Sequence, residues 1–473
     1  MTDHIESQMS GGSRRPDNRS RLAFPMPYRS VGLKLLFVCF LALLLAIPSL
    51  FIYDIVVERS SGAEMAVRTV SEKVGGQQTV LGPVLIVPYS YVPNPERPDR
   101  LKYGRGVVYA ETGLANVSMM IEDRQRGIHS VPVYTADIDF AAEFRASRIL
   151  EAIPPGALPV WQDVQLYFGV SDRRGIREPF TASLNGSLLD IGPADQGTQQ
   201  EAQYKPLPAT RLSLATAELE TIESLSGRFS VTANMMISGA ERFALAPFAK
   251  DTEMTVTSDW ASPSFEGGVL PLRHNVGENT DGFSAQWSVP YLARGVLGAG
   301  PGLDINALLE RNVRDMAIRF VKPGNPYQSV QRALKYAVMF VGFVFLAYFL
   351  FEVTSGARAH PAQYVLVGLA QSIFYLLLLA LAEQIGFDAS FAIAASMTII
   401  LTASYSAIVF RSRAYGLRAF GILCGIYGLI YILMRAEDLA LLAGAFASFI
   451  AIALTMWLTR HVDWYGAGET APA

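Results

Sequence analysis

Cysteine is almost missing from this chain: only Cys39 and Cys424 occur in 473 residues, and both fall inside apolar runs. The long stretch between those runs therefore folds without a disulfide, which a domain of roughly 270 residues can do on its own hydrophobic core. Charge is scarce as well. Asp, Glu, Lys and Arg make up 17% of the residues against 51% hydrophobic ones, a balance more apolar than that of a soluble protein of this length. The formal net charge is −3 and no run of Lys or Arg is long enough to form a nucleic-acid surface, so that class of partner is excluded. Chemical motifs are missing too: the sequence contains no G-x-S-x-G elbow, no G-x-x-x-x-G-K-[S/T] phosphate loop and no H-E-x-x-H. The five histidines, His4, His129, His274, His360 and His461, include no pair at the spacing of a helical zinc site. Neither a metal nor a cofactor is expected.

What is present is long apolar runs, and they are unevenly placed. Leu33 to Ile52 carries a single early charge, Lys34, and about 20 residues at 1.5 Å each cross a hydrocarbon core of roughly 30 Å. Arg14, Arg15, Arg19, Arg21 and Arg29 precede it, and Ser61 and Ala63 make only a weak cleavage match, so it reads as an uncleaved signal anchor. Five further spans read as Tyr336 to Phe351, Tyr364 to Leu381, Phe391 to Phe410, Leu417 to Leu433 and Leu439 to Leu458. Six spans with the N-terminus inside return the C-terminus to the cytoplasm. Loop charge agrees: Arg358, Arg411, Arg413, Arg418 and Arg460 fall on the cytoplasmic side, while the outer loops hold Glu383 and Asp388, and Arg435 beside Glu437 and Asp438. Trp457, Trp464 and Tyr465 stand where an interfacial aromatic belt belongs. The expected organisation is a cytoplasmic tail over 1–30, a first span over 31–53, a periplasmic domain over 54–330, a five-helix bundle over 331–460 and a tail over 461–473.

The middle domain reads as β-rich. Runs enriched in β-branched and aromatic residues start at Val84, Arg105, Asn116, Val164, Arg228 and Glu253, separated by turn signals at Gly82-Pro83, Gly127, Asn185-Gly186 and Asp281-Gly282. A sandwich-like or multi-sheet β core is expected, giving an α + β membrane protein overall. Helices are expected only after Tyr53, ending at Gly75-Gly76, and from Leu303 to Arg319. Gly298 to Gly302, interrupted by Pro301, reads as a loop and not as a dinucleotide fingerprint.

The strings KYAVMFVGFVFLAYFLFE, RAHPAQYVLVGLAQSIFYLLLLALAEQIGF and LTRHVDWY resemble the C-terminal membrane region of the CreD family of bacterial inner membrane proteins. The resemblance continues through LGPVLIVP, GVSDRRGI, MTVTSDWASPSFEGGVLP and GFSAQW, so it covers nearly everything from Leu33 to Tyr465. It implies an inner membrane protein tied to cell-envelope integrity and produced under a two-component system that answers wall or nutritional stress. It supplies no catalytic residue.

Candidate contacts are therefore read from the residues themselves. Asp172, Arg173, Arg174 and Arg177 form the densest charge cluster of the middle domain, able to grip an anionic glycan or a protein partner; the simpler reading is a hairpin end with internal Asp-to-Arg pairing. Asp259 and Trp260, with Phe265 nearby, are candidates for a saccharide-stacking platform, against plain burial of both rings. His360, near Arg358 and Glu352, is either a titrating group or the anchor of a tight loop. Within the spans Gln371, Ser372, Thr398, Thr402, Ser404 and Ser406 are neutral, and no acid, His or Lys stands at mid-membrane, which disfavours a proton-coupled pump. The leading expectation is a non-enzymatic envelope protein that contacts the lipid bilayer and binds a glycan, a lipid or a membrane protein through its β domain. A transporter or lipid-handling protein, and a periplasmic hydrolase, are the alternatives.

Overall fold

In a computed structural model of the chain, residues 31–45, 47–93, 101–127, 129–193, 213–219, 227–277, 282–294, 298–301, 315–320, 326–355, 359–435 and 440–460 are described. Two compact units emerge: one from residues up to Ile52, Arg332–Leu377 and from Phe391 onward, the other from Tyr53–Gln331 and Leu378–Ser390.

The helices are α1 (Val31–Leu44), α2 (Ile47–Val74), α3 (Ser147–Glu151), α4 (Tyr291–Arg294) and α5 (Pro326–Lys335), then α6 (Ala337–Ser355), α7 (Pro361–Ile385), α8 (Phe387–Val409), α9 (Arg413–Arg435) and α10 (Ala440–Thr459). Among the described residues six helical stretches are long and apolar enough to cross a membrane: the one spanning α1 and α2, and then α6 to α10. Helix is forced on such segments because hydrocarbon offers no partner for backbone N–H and C=O groups. In the first unit α6 packs against α1, α9 and α10. Ala394, Thr398, Thr402 and Ser406 put a buried strip of small residues on α8, which lets neighbouring helices approach closely. The hydroxyls of Thr398 and Ser406 donate to carbonyls one turn back, at 2.9 and 2.7 Å, and so cost little in a dry interior. At the start of α7, His360 acts as a cap: its Nδ1 accepts from the Ala362 N–H at 3.2 Å, its own N–H donates to Gln363 Oε1 at 2.9 Å, and Pro361 fills the first helical position. Arg358, its expected neighbour, lies outside the described residues.

The strands of the second unit are β1 (Gln78–Tyr91), β2 (Lys102–Arg126), β3 (His129–Arg145), β4 (Leu158–Pro159), β5 (Gln165–Val170) and β6 (Thr181–Leu184). They continue with β7 (Ser187–Leu189), β8 (Ile191–Pro193), β9 (Ser213–Glu218), β10 (Arg228–Ala240), β11 (Arg242–Ala246) and β12 (Ala249–Ser258). The last are β13 (Pro263–Gly267), β14 (Arg273–Val276), β15 (Phe283–Val289), β16 (Ala299–Pro301) and β17 (Met316–Phe320). One sheet runs β8-β9-β5-β1; beyond β1, its first residues pair in parallel with β11, followed by β17 and β13, and its later residues pair with β2, which carries β16. The other sheet runs β14-β15-β12-β2-β3-β10-β6-β7. β2 belongs to both. It leaves the first sheet at Tyr109 and enters the second at Ala110, a strand that turns the corner between layers. Alternation sets the second sheet's inner face: Ala115, Val117 and Met119 are buried while Asn116, Ser118 and Met120 are exposed, and Ile138, Phe140 and Ala142 of β3 answer from opposite. The core they help form also swallows Trp287, fully buried, whose indole N–H donates to the Val269 carbonyl at 3.1 Å.

Several local expectations are corrected. Gly82-Pro83 is not a turn but a bulge inside β1, where pairing with β5 shifts between Leu81 and Val84; Pro lacks the ladder donor, and a Cβ on Gly82 would lie 2.6 Å from the Phe248 ring. The helix expected from Leu303 to Arg319 gives way at its end to β17, held between β11 and β13 with Met316, Ala317, Ile318 and Phe320 all buried. A strand apolar on both faces shows no period of two, so pattern alone cannot separate it from helix. Residues 303–314 lie outside the described residues. Gly298–Gly302 is not simply a loop: Ala299–Pro301 pairs with β2 at a sheet edge, where Pro301 withholds no needed donor. Asn185-Gly186, with φ of 48° and 88°, does close a two-residue hairpin between β6 and β7, and α2 does stop at Gly75 and Gly76, with φ of 102° and 61°.

A buried-edge ion network ties three elements of this unit. Glu111 of β2 accepts from Lys250 Nζ of β12 at 2.7 Å and from Arg148 Nε of α3 at 2.9 Å. Burial alone would raise the Glu111 carboxyl, but the hydrogen bonds from Lys250 and Arg148 together outweigh it and hold the group below its ordinary value. A carboxyl depressed by folding stabilises the folded state above its unfolded value near 4.5, and that contribution drains away as pH falls through the lower folded value. The wild-type chain is therefore expected to lose more stability than Glu111→Gln as pH drops below 4.5, the two urea midpoints converging in acid; parallel curves would show that the network does not couple to folding.

Candidate functional site

The sequence cluster at Asp172 is assembled from the end of β5. Ser171 closes against β1, its N–H donating to the Thr79 carbonyl at 3.0 Å and its hydroxyl accepting from the Thr79 N–H at 2.6 Å. A single 3₁₀ turn, Arg173–Gly175, follows, capped by the Asp172 carboxylate, which accepts from the Arg174 N–H at 2.9 Å. Beneath the turn lies Gln78, fully buried, donating to the carbonyls of Gly75 at 2.9 Å and Asp172 at 3.0 Å and accepting from the Asp172 N–H at 3.3 Å. Gly175 is obligatory there: a Cβ would sit 2.3 Å from Gln78 Nε2 and 2.4 Å from the Ser238 carbonyl oxygen.

The four charges divide their tasks. Arg174 closes on Asp172 through Nη2 to Oδ2 at 2.6 Å, with Nε at 3.1 and 3.0 Å from the two oxygens. That hydrogen bonding, opposed only by partial burial, holds the Asp172 carboxyl below its usual range. Arg177, itself exposed, reaches back to the strand: its Nε donates to the hydroxyl of buried Ser238 at 2.7 Å, and that hydroxyl donates to the Val74 carbonyl at 2.7 Å. Arg173 is left exposed, and among the described residues no carboxylate pairs with it.

Arg173 instead lines a cleft of about 240 Å³. Its wall is made by Phe168 and Phe180, whose rings meet edge to face at 4.5 Å, with Ile176, Ile191 and Met235; apart from Arg173, every side chain of the described residues lining it is apolar. β5, β8 and β10 supply the floor, and the capped turn fixes the rim. The arrangement offers one cation beside a greasy hollow.

The second pair of sequence candidates stays apart from this turn, at the end of β12. Asp259 Oδ1 accepts from the Ile121 N–H at 3.0 Å, and half-buried Trp260 donates its indole N–H to the Ser262 carbonyl at 2.9 Å while its ring meets Phe320 edge-on. Phe265 packs edge-to-face on Phe283 and Trp287 and tilted against His274, so its faces are spent on the core. These contacts hold the loop together.

Three features escape a reading of the sequence. Gln78 is a lone amide opening an apolar strand, detectable only as a polar residue out of place. Arg294, on a four-residue helix, is buried with its guanidinium 3.8 Å from the Tyr109 ring centre; burial pushes it down to about 10. In the helical unit Glu352 of α6 is buried and ion-paired to Lys34 of α1, and it also accepts from the Ala359 N–H at 3.0 Å and the Tyr364 hydroxyl at 3.1 Å.

The comparisons with known proteins point one way. The profile of the family described as Inner membrane protein CreD matches residues 30–465. The Inner membrane protein CreD of Escherichia coli strain K12 is 29% identical over 432 residues, covering 89% of this chain and 91% of that protein. With the family profile running through both the helical unit and the β-rich unit, the chain belongs to the CreD family of inner membrane proteins.

Proposed function

We propose that this chain is a non-catalytic protein of envelope integrity, whose β-rich unit faces the periplasm and binds an envelope component in the cleft beside Arg173. The observation that carries the reading is the cleft itself: an arginine with no carboxylate partner among the described residues, on a wall otherwise apolar among those residues, beside a turn whose other charges are bonded to one another or to Ser238. A structural ion cluster has no need of an idle member beside a hollow. A non-enzymatic role is supported by the same accounting, since Asp172 is spent on Arg174 and Asp259 on a backbone amide.

The spans support this orientation. Arg411, Arg413, Arg418 and Arg460 lie at the ends of α8, α9 and α10 that an even number of crossings puts on the side of the N-terminus, and basic flanks favour the cytoplasm. With Cys39 and Cys424 replaced by Ser, a cysteine introduced at Gly186 in the β6–β7 hairpin is expected to react with an impermeant maleimide added outside spheroplasts. Reaction only after lysis would reverse the orientation.

The cleft is tested by filling it. A Cβ at Gly192 meets nothing within 4 Å and its φ is unstrained, so Gly192→Leu fits the backbone and occupies space beside the cleft. In a strain lacking the gene and exposed to a wall-active antibiotic, Gly192→Leu is expected to fail to restore survival although it inserts at wild-type levels. Full rescue by that variant would remove the cleft from the function.

One observation favours a second reading, a polar route through the bundle. Gln371 Nε2 and the hydroxyls of Tyr375 and Thr402 are buried without hydrogen-bond partners among the described residues, which is costly in hydrocarbon. Solute uptake into reconstituted vesicles above that of empty ones would support it; flux equal to empty vesicles would leave the helices as anchor.

A further inference from the structure

We infer that the ligand of the Arg173 cleft is a single-chain acyl carboxylate, a fatty acid with its chain end in the hollow and its head on the guanidinium. The inference rests on the binding role proposed above and adds the chemistry of what is bound. Size comes first. The cleft's 240 Å³ exceeds the ~150 Å³ of an apolar cavity that takes up benzene, yet falls short of the roughly 300–1,000 Å³ of sites that enclose a whole drug-sized ligand. It therefore holds one apolar segment and leaves the rest of the ligand at the rim. The two chains of a phospholipid do not fit.

The lining decides polarity. Phe168, Ile176, Phe180, Ile191 and Met235 give a sugar hydroxyl nothing to bond, so a glycan ring pressed into this space would lose its water without replacement. An acyl segment loses only unfavourable contact with water. The rim decides charge. Arg173 is one cation with a planar fork suited to a carboxylate, and the nearest acid in sequence, Asp172, is closed on Arg174 and does not compete. One charge and one chain is the formula of a fatty acid.

Photolabelling of the full chain in phosphatidylcholine nanodiscs tests this, with a diazirine-bearing fatty acid and the matching fatty alcohol as probes. The acid is expected to label peptides that line the cleft, from β5 through Phe180 and over Ile191–Pro193, and excess laurate is expected to suppress that labelling. Arg173→Gln, which touches no internal hydrogen bond of the turn's side chains, should weaken labelling by the acid about tenfold and leave the alcohol unaffected; Gly192→Leu should abolish both. Equal labelling by acid and alcohol in the wild type, or labelling only outside these peptides, overturns the fatty acid. Suppression by phosphatidylglycerol nanodiscs as strong as that by laurate overturns the single chain. Failure here is separable from failure of the proposed function: if Gly192→Leu abolishes stress protection while acid and alcohol label alike, the cleft keeps its role and only the ligand class is wrong.

Discussion

Replacing Lys34 by Met is expected to destabilise the helical unit by about 3–5 kcal/mol, the usual cost of stranding one member of a buried ion pair. Glu352 is 7% exposed, and Lys34 supplies its only cationic partner among the described residues. The Ala359 N–H and the Tyr364 hydroxyl would remain on the carboxylate, but two neutral donors do not replace a formal charge beside a buried carboxylate. The double variant Lys34→Met, Glu352→Gln should recover most of the loss, because the amide oxygen can accept from the Ala359 N–H while its NH2 donates to the Tyr364 hydroxyl oxygen, and it brings no charge to be compensated. Unfolding of the reconstituted protein by sodium dodecyl sulfate in mixed micelles measures both. A loss below about 1 kcal/mol for Lys34→Met would mean that the pair behaves as an exposed one, screened by water and headgroups. The pair joins α1 to α6 across 318 positions of sequence, so its loss should loosen the first span from the helix that also contacts α9 and α10.

That separation explains why the pair was invisible in the sequence while the spans that carry it were plain. A span is declared by its own residues, because the lipid that buries it is uniform and demands only length and the absence of charge. α6 to α10 accordingly lie within a few residues of the runs read from hydropathy. The hairpin at Asn185-Gly186 was equally legible, since positive φ at two successive positions leaves few residue choices. Lys34 and Glu352 each look like an ordinary charge at a helix end until folding sets them face to face. In the β-rich unit the same division holds. Short alternating runs announced β2 and β10, but the fusion of two such runs into one strand that serves both sheets depends on partners far along the chain. β17 failed to announce itself because both its faces are covered. The turn at Asp172 was legible as a cluster of charge; that Arg174 and Arg177 would be consumed and Arg173 spared depended on Gln78 and Ser238, 94 and 61 residues away from their bonded partners.

Gln78 is the residue on which the geometry of the cleft turns, and Gln78→Leu should show it. Leu nearly matches the volume and can bury as well, so hydrophobic contact is little changed, but the Gly75 carbonyl and the Asp172 N–H lose their partner together, and the Asp172 carbonyl keeps the Gly175 N–H alone. At about 1–3 kcal/mol for each group left unpaired, with Asp172 reachable by water and therefore at the low end, the expected loss is about 2–5 kcal/mol. Urea unfolding of the full chain, followed through tryptophan fluorescence to which buried Trp287 of the same unit contributes, reads it. The structural loss carries a functional one. Asp172 caps the turn that sets Arg173 on the rim, and without Gln78 the turn loses the support beneath Asp172 while keeping Ser171 on Thr79, the Arg177 N–H on the Met236 carbonyl and the Arg177 side chain on Ser238. Labelling of the cleft by the fatty acid probe should then fall although Arg173 and every apolar wall residue are still present. A Gln78→Leu protein within about 0.5 kcal/mol of wild type and labelled at full strength would mean that the strand ladder alone positions the turn. A protein that loses stability yet labels normally would place Gln78 in the fold and outside the site; the hydrogen bonds from its amide to the residue next to Arg173 are the reason to expect both to fall together.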